Sequence, residues 1–228
     1  MSAGPAAPAG RSDAPSHLAV SEIFISIQGE ATHSGRPCAF VRLAGCDLRC
    51  RWCDTEYAFH GGTPMTVAEI LDRVASFGCP LVQVTGGEPL LHPGAPPLVI
   101  ALLDVGYEVL VETGGHRDLS VLDRRAHIVM DLKAPGSGEH EHNRWQNVAL
   151  LSHRDALKFV VADRVDYEWS REAIRARRLD ERCPVYFSPV HGELSASALA
   201  GWILEDRLPV RLQVQLHKLL WGASTRGV

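Results

Sequence analysis

The strongest constraint on the fold is a regular alternation of short apolar segments with helical patterns along most of the chain. Strand-like segments are expected at 22–28, 39–45, 81–87, 107–115, 127–133, 156–162, 184–190 and 211–217. Helical patterns fall at 66–78, 96–105, 117–125, 143–151, 166–178 and 195–205. Nearly continuous apolar strands are typical of a parallel sheet that is buried on both faces. The order of elements therefore predicts an α/β fold, either a barrel or a doubly wound sheet.

Polar, glycine-rich residues collect where the predicted strands end, and this favours the barrel. The runs TGGEP, ETGG, DLKAPGSG, SPVHG and QLHK all follow or close strand segments. In barrel enzymes the chemically active groups gather at the carboxyl ends of the strands. We therefore predict a TIM-like arrangement in which these runs meet at one end of the sheet.

Composition limits the class of protein. The chain has 228 residues and a formal net charge of −4, so no overall basic field favours nucleic acid or an anionic membrane. No apolar run is long enough to span a bilayer. Residues 1–19 contain 11 Ala, Gly or Pro and no continuous apolar segment. We expect a disordered tail there instead of a secretory signal, one domain over 20–228, and a cytoplasmic location in which thiols stay reduced.

The densest group of reactive side chains is a set of three neighbouring cysteines, namely Cys46, Cys50 and Cys53. Their spacing would place them on one face of a helix as core thiols, but charged residues separate them and no apolar stripe extends that face. A zinc site would need a fourth ligand, and Cys38, Cys79 and His60 do not lie at a usual paired spacing. A 4Fe-4S cluster normally takes four thiolates, so three thiolates leave one iron open to a small molecule.

The C-x3-C-x-aromatic-C run, with Trp52 as its aromatic residue, resembles the signature of the radical S-adenosylmethionine (SAM) superfamily. The run TGGEP at 85–89 resembles the strand motif that contacts the SAM amino group in that superfamily. The resemblance implies a partial (βα)6-type TIM-like barrel with an extra C-terminal strand. It also implies a 4Fe-4S cluster on the three cysteines, SAM on the open iron, and an external one-electron reductant.

The chain from about residue 20 onward resembles one family of that superfamily, the 7-carboxy-7-deazaguanine synthases. The shared motifs, in order, are IQGE, GRP, RxxGC, CDT, TGGEP, DxK, SPVHG and QxHK. The resemblance implies a carbon–nitrogen lyase that converts 6-carboxy-5,6,7,8-tetrahydropterin to 7-carboxy-7-deazaguanine, with ring contraction and loss of ammonia, in queuosine and 7-deazapurine biosynthesis. It further implies that SAM is regenerated, that Mg²⁺ is required, and that the enzyme is a homodimer.

Matches to the family motifs imply three groups of site residues. The substrate group is Ile27, Gln28, Gly29, Glu30, Arg42, Thr85 and His217. The SAM group is Trp52, Cys53, Asp54, Gly87, Glu88, Asp131, Leu132, Lys133 and Ser188. Thr55, directly after the cysteine loop, is implied as the protein ligand of Mg²⁺.

Residue chemistry agrees with parts of this assignment. A pterin presents N–H donors beside a carbonyl, which Gln28 and Glu30 can match, and the planar guanidinium of Arg42 can clamp a carboxylate at two points. From the residues alone, simpler interpretations stay open. The Gln-Gly-Glu run is then a solvated turn, Arg42 a surface ion pair, Thr55 a loop hydroxyl, and His217 a core or surface imidazole.

Two other functions compete with this one. The first is a radical SAM activase acting on a partner protein, and the second is a non-catalytic zinc or redox-sensing module. Activases often carry added cysteine-rich cluster modules, and none is visible in the sequence.

The run GEHEHN at 138–143 is interpreted as a solvated loop, and Cys38, Cys79 and Cys183 as packing thiols. In ETGG, Gly114 replaces the more usual Asn of the family.

Overall fold

In the computed structural model the described residues are 17–222 and 225–227. Residues 1–16, which make up most of the predicted tail, lie outside them. The last part of that predicted tail is instead ordered in the first strand, because Leu18 is only 1% exposed and belongs to the core.

In the described part of the chain the strands form one nine-stranded sheet. They are β1 (Leu18–Ile27), β2 (Pro37–Leu43), β3 (Thr63–Met65), β4 (Leu81–Gly86), β5 (Glu108–Thr113), β6 (His127–Leu132), β7 (Ala156–Val161), β8 (Val185–Pro189) and β9 (Arg211–Leu212). Their spatial order is β3-β1-β2-β4-β5-β6-β7-β8-β9. β1 is antiparallel to β2 and β3, whereas every pair from β2 to β9 is parallel.

Within residues 17–222 five α-helices accompany the sheet: α1 (Val67–Ala75), α2 (Ala95–Asp104), α3 (Arg164–Arg177), α4 (Ala196–Glu205) and α5 (Leu216–Leu220). Helix α1 begins with a capping box. The Thr66 hydroxyl accepts a hydrogen bond from the Glu69 backbone N–H at 3.2 Å, and the Glu69 carboxylate accepts one from the Thr66 backbone N–H at 2.7 Å. Ile70 and Val74 then bury the inner face of the helix.

The predicted helices at 117–125 and 143–151 are wrong. Both segments contain only short 3₁₀ turns, at Leu119–Val121 and Trp145–Leu150. In the first, the Asp118 carboxylate accepts from the Ser120 N–H and the Asp123 carboxylate from the Arg125 N–H, both at 2.9 Å. Such local bonds offer the backbone an alternative to helical hydrogen bonding.

The predicted last strand, 211–217, is also too long. Only Arg211 and Leu212 pair with β8, and the chain turns into α5 at Leu216. Strand β3 was not predicted, because a run of three residues carries too little periodicity to be recognised.

The sheet is an open barrel, and the predicted fold class is confirmed. Six parallel strands, β2 and β4 to β8, form the barrel wall, and β9 is the additional C-terminal strand. Alternate residues of a strand face opposite sides. Apolar side chains such as Val84, Val111 and Phe159 are fully buried in the main core, whereas Thr85, Glu112 and Lys158 line a cavity on the other face. Among the helices described, none combines the length and the hydropathy that crossing a membrane requires.

Candidate active site

A cavity of about 430 Å³ opens on the concave face of the sheet. It is lined by all three cysteines and by Thr55. The predicted substrate group lines it completely, with Ile27, Gln28, Gly29, Glu30, Arg42, Thr85 and His217. Most of the predicted SAM group lines it too, namely Trp52, Cys53, Asp54, Gly87, Glu88, Asp131 and Lys133. The structure therefore brings together segments that are nearly two hundred residues apart.

Leu132 and Ser188 of the predicted SAM group do not line this cavity. Leu132 is 0% exposed and packs in the main core, because its neighbours Asp131 and Lys133 occupy the positions that face the cavity. Ser188 is 1% exposed, and its Oγ has no hydrogen-bond partner among the described residues. Any contact of Leu132 with SAM would have to use its backbone.

The cysteine loop and the TGGEP run are joined by backbone hydrogen bonds. The Glu88 N–H donates to the Gly45 carbonyl at 2.9 Å, and the Gly87 N–H donates to the Leu43 carbonyl at 3.2 Å. A methyl group added at Gly87 would lie 2.3 Å from the Gly45 carbonyl oxygen and 2.6 Å from Cys46 Cβ. Glycine is therefore required at 87 so that the two motifs can touch.

The three thiols are partly buried at one end of the cavity. Burial raises the pKa of Cys50 to about 11 and also raises the pKa values of Cys46 and Cys53. Their sulfurs do not all lie within 4.8 Å of one another, so as placed within the described structure they are too far apart to share one zinc ion. A cluster with several irons, each taking one thiolate, fits this donor set better.

Glu88 is a buried carboxylate that ties the TGGEP run to the ETGG run. It accepts hydrogen bonds from the Thr113 hydroxyl at 2.8 and 2.9 Å and from the Gly114 N–H at 2.9 Å. A Cβ at Gly114 would lie 3.1 Å from His116 Nδ1 and 3.3 Å from Leu48. The tight packing around Gly114 gives a physical reason for the missing asparagine.

An ionic network lies at the bottom of the cavity. The sequence predicted its members Glu30 and Asp131, but it did not predict Lys158 or Glu112. Lys158 Nζ donates to Glu30 and to Glu112, both at 2.7 Å, and lies 3.6 Å from Asp131. Burial would lower the pKa of Lys158, but Glu112 and Glu30 raise it well above its ordinary value. Burial would raise the pKa of Glu30, but Lys158 and a hydrogen bond from Gln215 hold it below its ordinary value. Both groups are therefore charged at neutral pH.

Amide side chains extend this network to the IQGE run. Gln28 donates to the side-chain carbonyl of Gln83, whose Nε2 donates to Glu112 at 2.7 Å. Gln213 and Gln215 donate to the Glu30 carboxylate at 3.0 and 2.7 Å. The signal available in the sequence was a single polar residue within an otherwise apolar strand, as for Gln83 in LVQV and Lys158 in ALKFVV.

Arg42 lies in the cavity wall as half of an ion pair with Glu22. The side chains of these two residues are 17% and 20% exposed, so the pair is largely buried. The simpler interpretation of Arg42 as a surface ion pair is therefore wrong about exposure, although the ion pair itself exists.

Thr55, Asp54 and Lys218 form a chain of contacts beside the cysteine loop. The Thr55 hydroxyl donates to Asp54 Oδ1 at 2.8 Å, and Lys218 Nζ lies 2.8 Å from Asp54 Oδ2. The loop hydroxyl is therefore engaged with a neighbouring carboxylate and lines the cavity at the same time.

His217 closes the cavity against the IQGE run. Burial lowers its pKa below the ordinary value of 6.5, so the imidazole is neutral at neutral pH. A Cβ at Gly29 would lie 2.7 Å from His217 Nδ1, so glycine at 29 permits this close approach. His217 is therefore neither a core residue nor a surface residue but part of the cavity wall.

The residues set aside in the sequence lie away from the cavity. Cys38, Cys79 and Cys183 are buried free thiols, as predicted. In the GEHEHN run, the His142 side chain is 61% exposed and pairs with Glu139, as expected for a solvated loop. Asn143, however, is buried and its side chain hydrogen-bonds the Lys133 backbone, so the prediction holds only for part of the run.

Comparisons with known proteins agree with this geometry. Residues 41–178 match the model of the radical SAM superfamily. The chain is 50% identical to the 7-carboxy-7-deazaguanine synthase of Chlorobaculum tepidum, over 92% of this chain and 97% of that protein. It is 41% identical to that of Koribacter versatilis, over 92% of this chain and 100% of that protein.

A solved structure, QueE from Escherichia coli, has the same fold. Its TM-score is 0.71 at 22% sequence identity, and the match covers 87% of this chain and 94% of that one. Taken with the sequence matches, these findings show that the chain belongs to the 7-carboxy-7-deazaguanine synthase family of the radical SAM superfamily.

Proposed function

We propose that this enzyme is a lyase that converts 6-carboxy-5,6,7,8-tetrahydropterin to 7-carboxy-7-deazaguanine, with ring contraction and loss of ammonia. Membership of the family supports the identity of the product. The observation that carries the choice of substrate is the polarity of one cavity, which has Arg42 on its wall and a charged, hydrogen-bonding network around Glu30 and Glu112 at its floor.

The two ends of the substrate match these groups. The pterin ring offers adjacent N–H donors, and the ionised Glu30 carboxylate is the acceptor that such donors prefer. Lys158 keeps Glu30 ionised inside a cavity where a lone carboxylate would take up a proton. The substrate carboxylate needs a fixed cation, and we assign that role to Arg42. Ile27, Gln28, Gly29, Thr85 and His217 complete the proposed substrate site.

Membership of the superfamily implies a 4Fe-4S cluster and SAM as cofactors. When bound, they supply the one-electron chemistry that removes a hydrogen atom from the substrate. We propose that Cys46, Cys50 and Cys53 hold the cluster. Asp131 faces the cavity and its buried Oδ1 has no partner in the described structure, so it is an acceptor available to SAM.

The remaining SAM contacts follow from their place at the cysteine end of the cavity. We assign them to Trp52, Cys53, Asp54, Gly87, Glu88 and Lys133. Ser188 is retained because its buried hydroxyl lacks a partner within the described residues, and Leu132 only through its backbone.

We assign Thr55 as the protein ligand of Mg²⁺. Its hydroxyl is a hard oxygen that lines the cavity next to Cys53 and Asp54. Mg²⁺ usually keeps several waters and takes few protein ligands besides substrate oxygens, so one hydroxyl suffices.

The wider setting is proposed from the family resemblance. The reaction belongs to the biosynthesis of queuosine and related 7-deazapurines, in the cytoplasm. An external one-electron reductant supplies the electron, the chain from β1 onward forms one radical SAM domain, and two chains assemble as a homodimer. An activase role is not favoured, because the buried polar floor matches a small polar ring better than a peptide segment.

Anaerobic incubation of the cluster-loaded enzyme with the carboxypterin, SAM, a reductant and Mg²⁺ tests the proposal. We expect product of the mass of 7-carboxy-7-deazaguanine and an equal amount of ammonia, both dependent on SAM. An enzyme that cleaves SAM but leaves the carboxypterin unchanged would contradict the proposed substrate.

A further inference from the structure

Three side chains of types that can bind metal ions meet at the end of the sheet opposite the cysteine loop. Glu108 begins β5 and His127 begins β6, so both lie at the amino ends of neighbouring parallel strands. His33 ends the short turn Ala31–His33 that follows β1. One ligand atom from each of the three residues lies within 4.8 Å of the other two. The proposed reaction uses none of these side chains.

The distances suit a single ion. His33 Nε2 and His127 Nε2 lie 2.8 and 3.7 Å from the same Glu108 oxygen, Oε1. Metal–ligand bonds of about 2.0–2.2 Å hold neighbouring ligand atoms roughly 3.0–3.5 Å apart. Small side-chain movements would therefore bring all three atoms to coordination distance.

The orientation of His127 is already that of a metal ligand. Arg154 is the donor to Nε2 at 2.9 Å, so that nitrogen presents a lone pair. The opposite ring nitrogen, Nδ1, lies 3.4 Å from the Arg154 backbone carbonyl oxygen, which accepts a hydrogen bond from Nδ1–H. A ring whose Nδ1–H is bound to a backbone carbonyl is fixed in the tautomer that coordinates through Nε2.

Neighbouring arginines define what the ion must displace. Arg36 binds the other Glu108 oxygen, Oε2, at 2.6 Å and so leaves Oε1 available. The Arg154 guanidinium stands at His127 Nε2, where a metal ion would sit, and it must swing away. His33 Nε2, which faces Glu108 Oε1, coordinates once its ring proton is on Nδ1. The His33 and His127 side chains are 10% and 14% exposed, whereas Glu108 is 35% exposed and keeps the group open to solvent.

We propose that His33, Glu108 and His127 bind one transition-metal dication of the Zn²⁺ or Ni²⁺ type, with water completing the coordination. Imidazole ligands favour these ions over Mg²⁺ and Ca²⁺, which prefer oxygen. The site would join the first residues of β5 and β6 to the turn Ala31–His33, which follows Gln28 and Glu30. Its effect is therefore on stability, since it fastens the segment that forms the cavity floor.

Isothermal titration of the tag-free, cluster-loaded enzyme with NiCl₂, under anaerobic conditions, tests this site. Cluster loading occupies the three loop thiols, and the readout does not depend on turnover. We expect one Ni²⁺ per chain and a nickel-dependent rise in Tm. His127→Gln and Glu108→Gln should each weaken Ni²⁺ binding by about tenfold or more and reduce the rise in Tm.

Two further variants distinguish this site from adventitious binding. His153→Gln removes an exposed histidine outside the group and should leave the titration unchanged. Arg154→Ala removes the guanidinium that competes for His127 Nε2 and should tighten binding several-fold. The proposal is overturned if no saturable Ni²⁺ site exists, or if the His127 and Glu108 variants bind like the wild type.

Discussion

Arg42 donates a hydrogen bond from Nε to Glu22 Oε1 at 2.7 Å, and the two residues face each other across β1 and β2. The Tyr57 hydroxyl donates to the same oxygen, also at 2.7 Å. Because Nε is engaged on one side, the plane of the guanidinium is fixed. Its terminal nitrogens are then set to meet a carboxylate in the cavity without further ordering.

Arg42→Lys should therefore impair use of the carboxypterin more than cleavage of SAM. An ammonium offers a point charge in place of a two-point fork, so we expect KM to rise by about tenfold, the equivalent of ~1.4 kcal/mol. Glu22→Gln should raise KM less, because it weakens only the anchoring of Arg42. Steady-state kinetics with SAM cleavage followed in parallel measures both. Arg125 is a remote ion-paired arginine, so Arg125→Lys is the control. Equal KM values in all three variants would show that Arg42 does not bind the substrate.

Gly87→Ala should lower the iron content of the enzyme. The added methyl would meet the Gly45 carbonyl oxygen at 2.3 Å, and backbone cannot yield as a flexible side chain can, so the cysteine loop must move. Gly201→Ala is the matched control, because nothing lies within 4 Å of its added Cβ in α4. That variant should keep its iron and gain about 0.5–1 kcal/mol of stability from helix propensity. Normal iron in Gly87→Ala would show that the contact between the two motifs is dispensable.

The sequence predicts the parallel strands well and two connections poorly, for a physical reason. Strands β4 to β8 are buried apolar runs bounded by turn residues, and tertiary packing agrees with that local pattern. The segment at 117–125 has helical spacing of Leu119 and Leu122, but its aspartates cap the backbone locally. In this segment the short-range hydrogen bonds from side chain to backbone determine the conformation, in spite of the helical spacing of the apolar residues.

The site shows a similar division. The cysteine loop and the glycine-rich runs are each a continuous stretch of sequence, so their chemistry can be recognised before the fold is known. Lys158, Glu112 and Gln83 are single polar residues on separate strands, and the order in which those strands pair brings them together. Their part in the floor of the cavity could not be predicted before the register of the strands was known.

Thr55→Ala tests the assignment of Mg²⁺. If Thr55 supplies the one protein oxygen, its loss should abolish stimulation by Mg²⁺ and weaken binding of the carboxypterin, while iron and SAM binding persist. If Thr55 only donates to Asp54, its loss costs about 1 kcal/mol of stability and no more. Measuring turnover against Mg²⁺ concentration in the wild type and in Thr55→Ala separates these cases. Superimposable activation curves would show that Thr55 is not the ligand of Mg²⁺.

His217 should make the stability of the enzyme depend on pH below 6.5. Its folded-state pKa is lowered by burial, so as the pH falls the unfolded chain binds the proton first. Stability therefore rises with pH across the interval from the folded pKa up to 6.5, and it is lost on acidification. Compared with His217→Gln, the wild type should lose its Tm advantage between pH 7.5 and 5.5. A Tm difference that stays constant over this range would contradict the buried neutral imidazole.

The central claim is that three thiolates at one end of the cavity hold the cluster on which the chemistry depends. The most direct test is the iron and sulfide content of anaerobically reconstituted Cys46→Ala, Cys50→Ala and Cys53→Ala. Cys183→Ala is the control, because that thiol is buried in the main core. We expect each of the three loop variants to lose its cluster and the control to match the wild type. Full retention of iron and sulfide in any one loop variant would contradict the account.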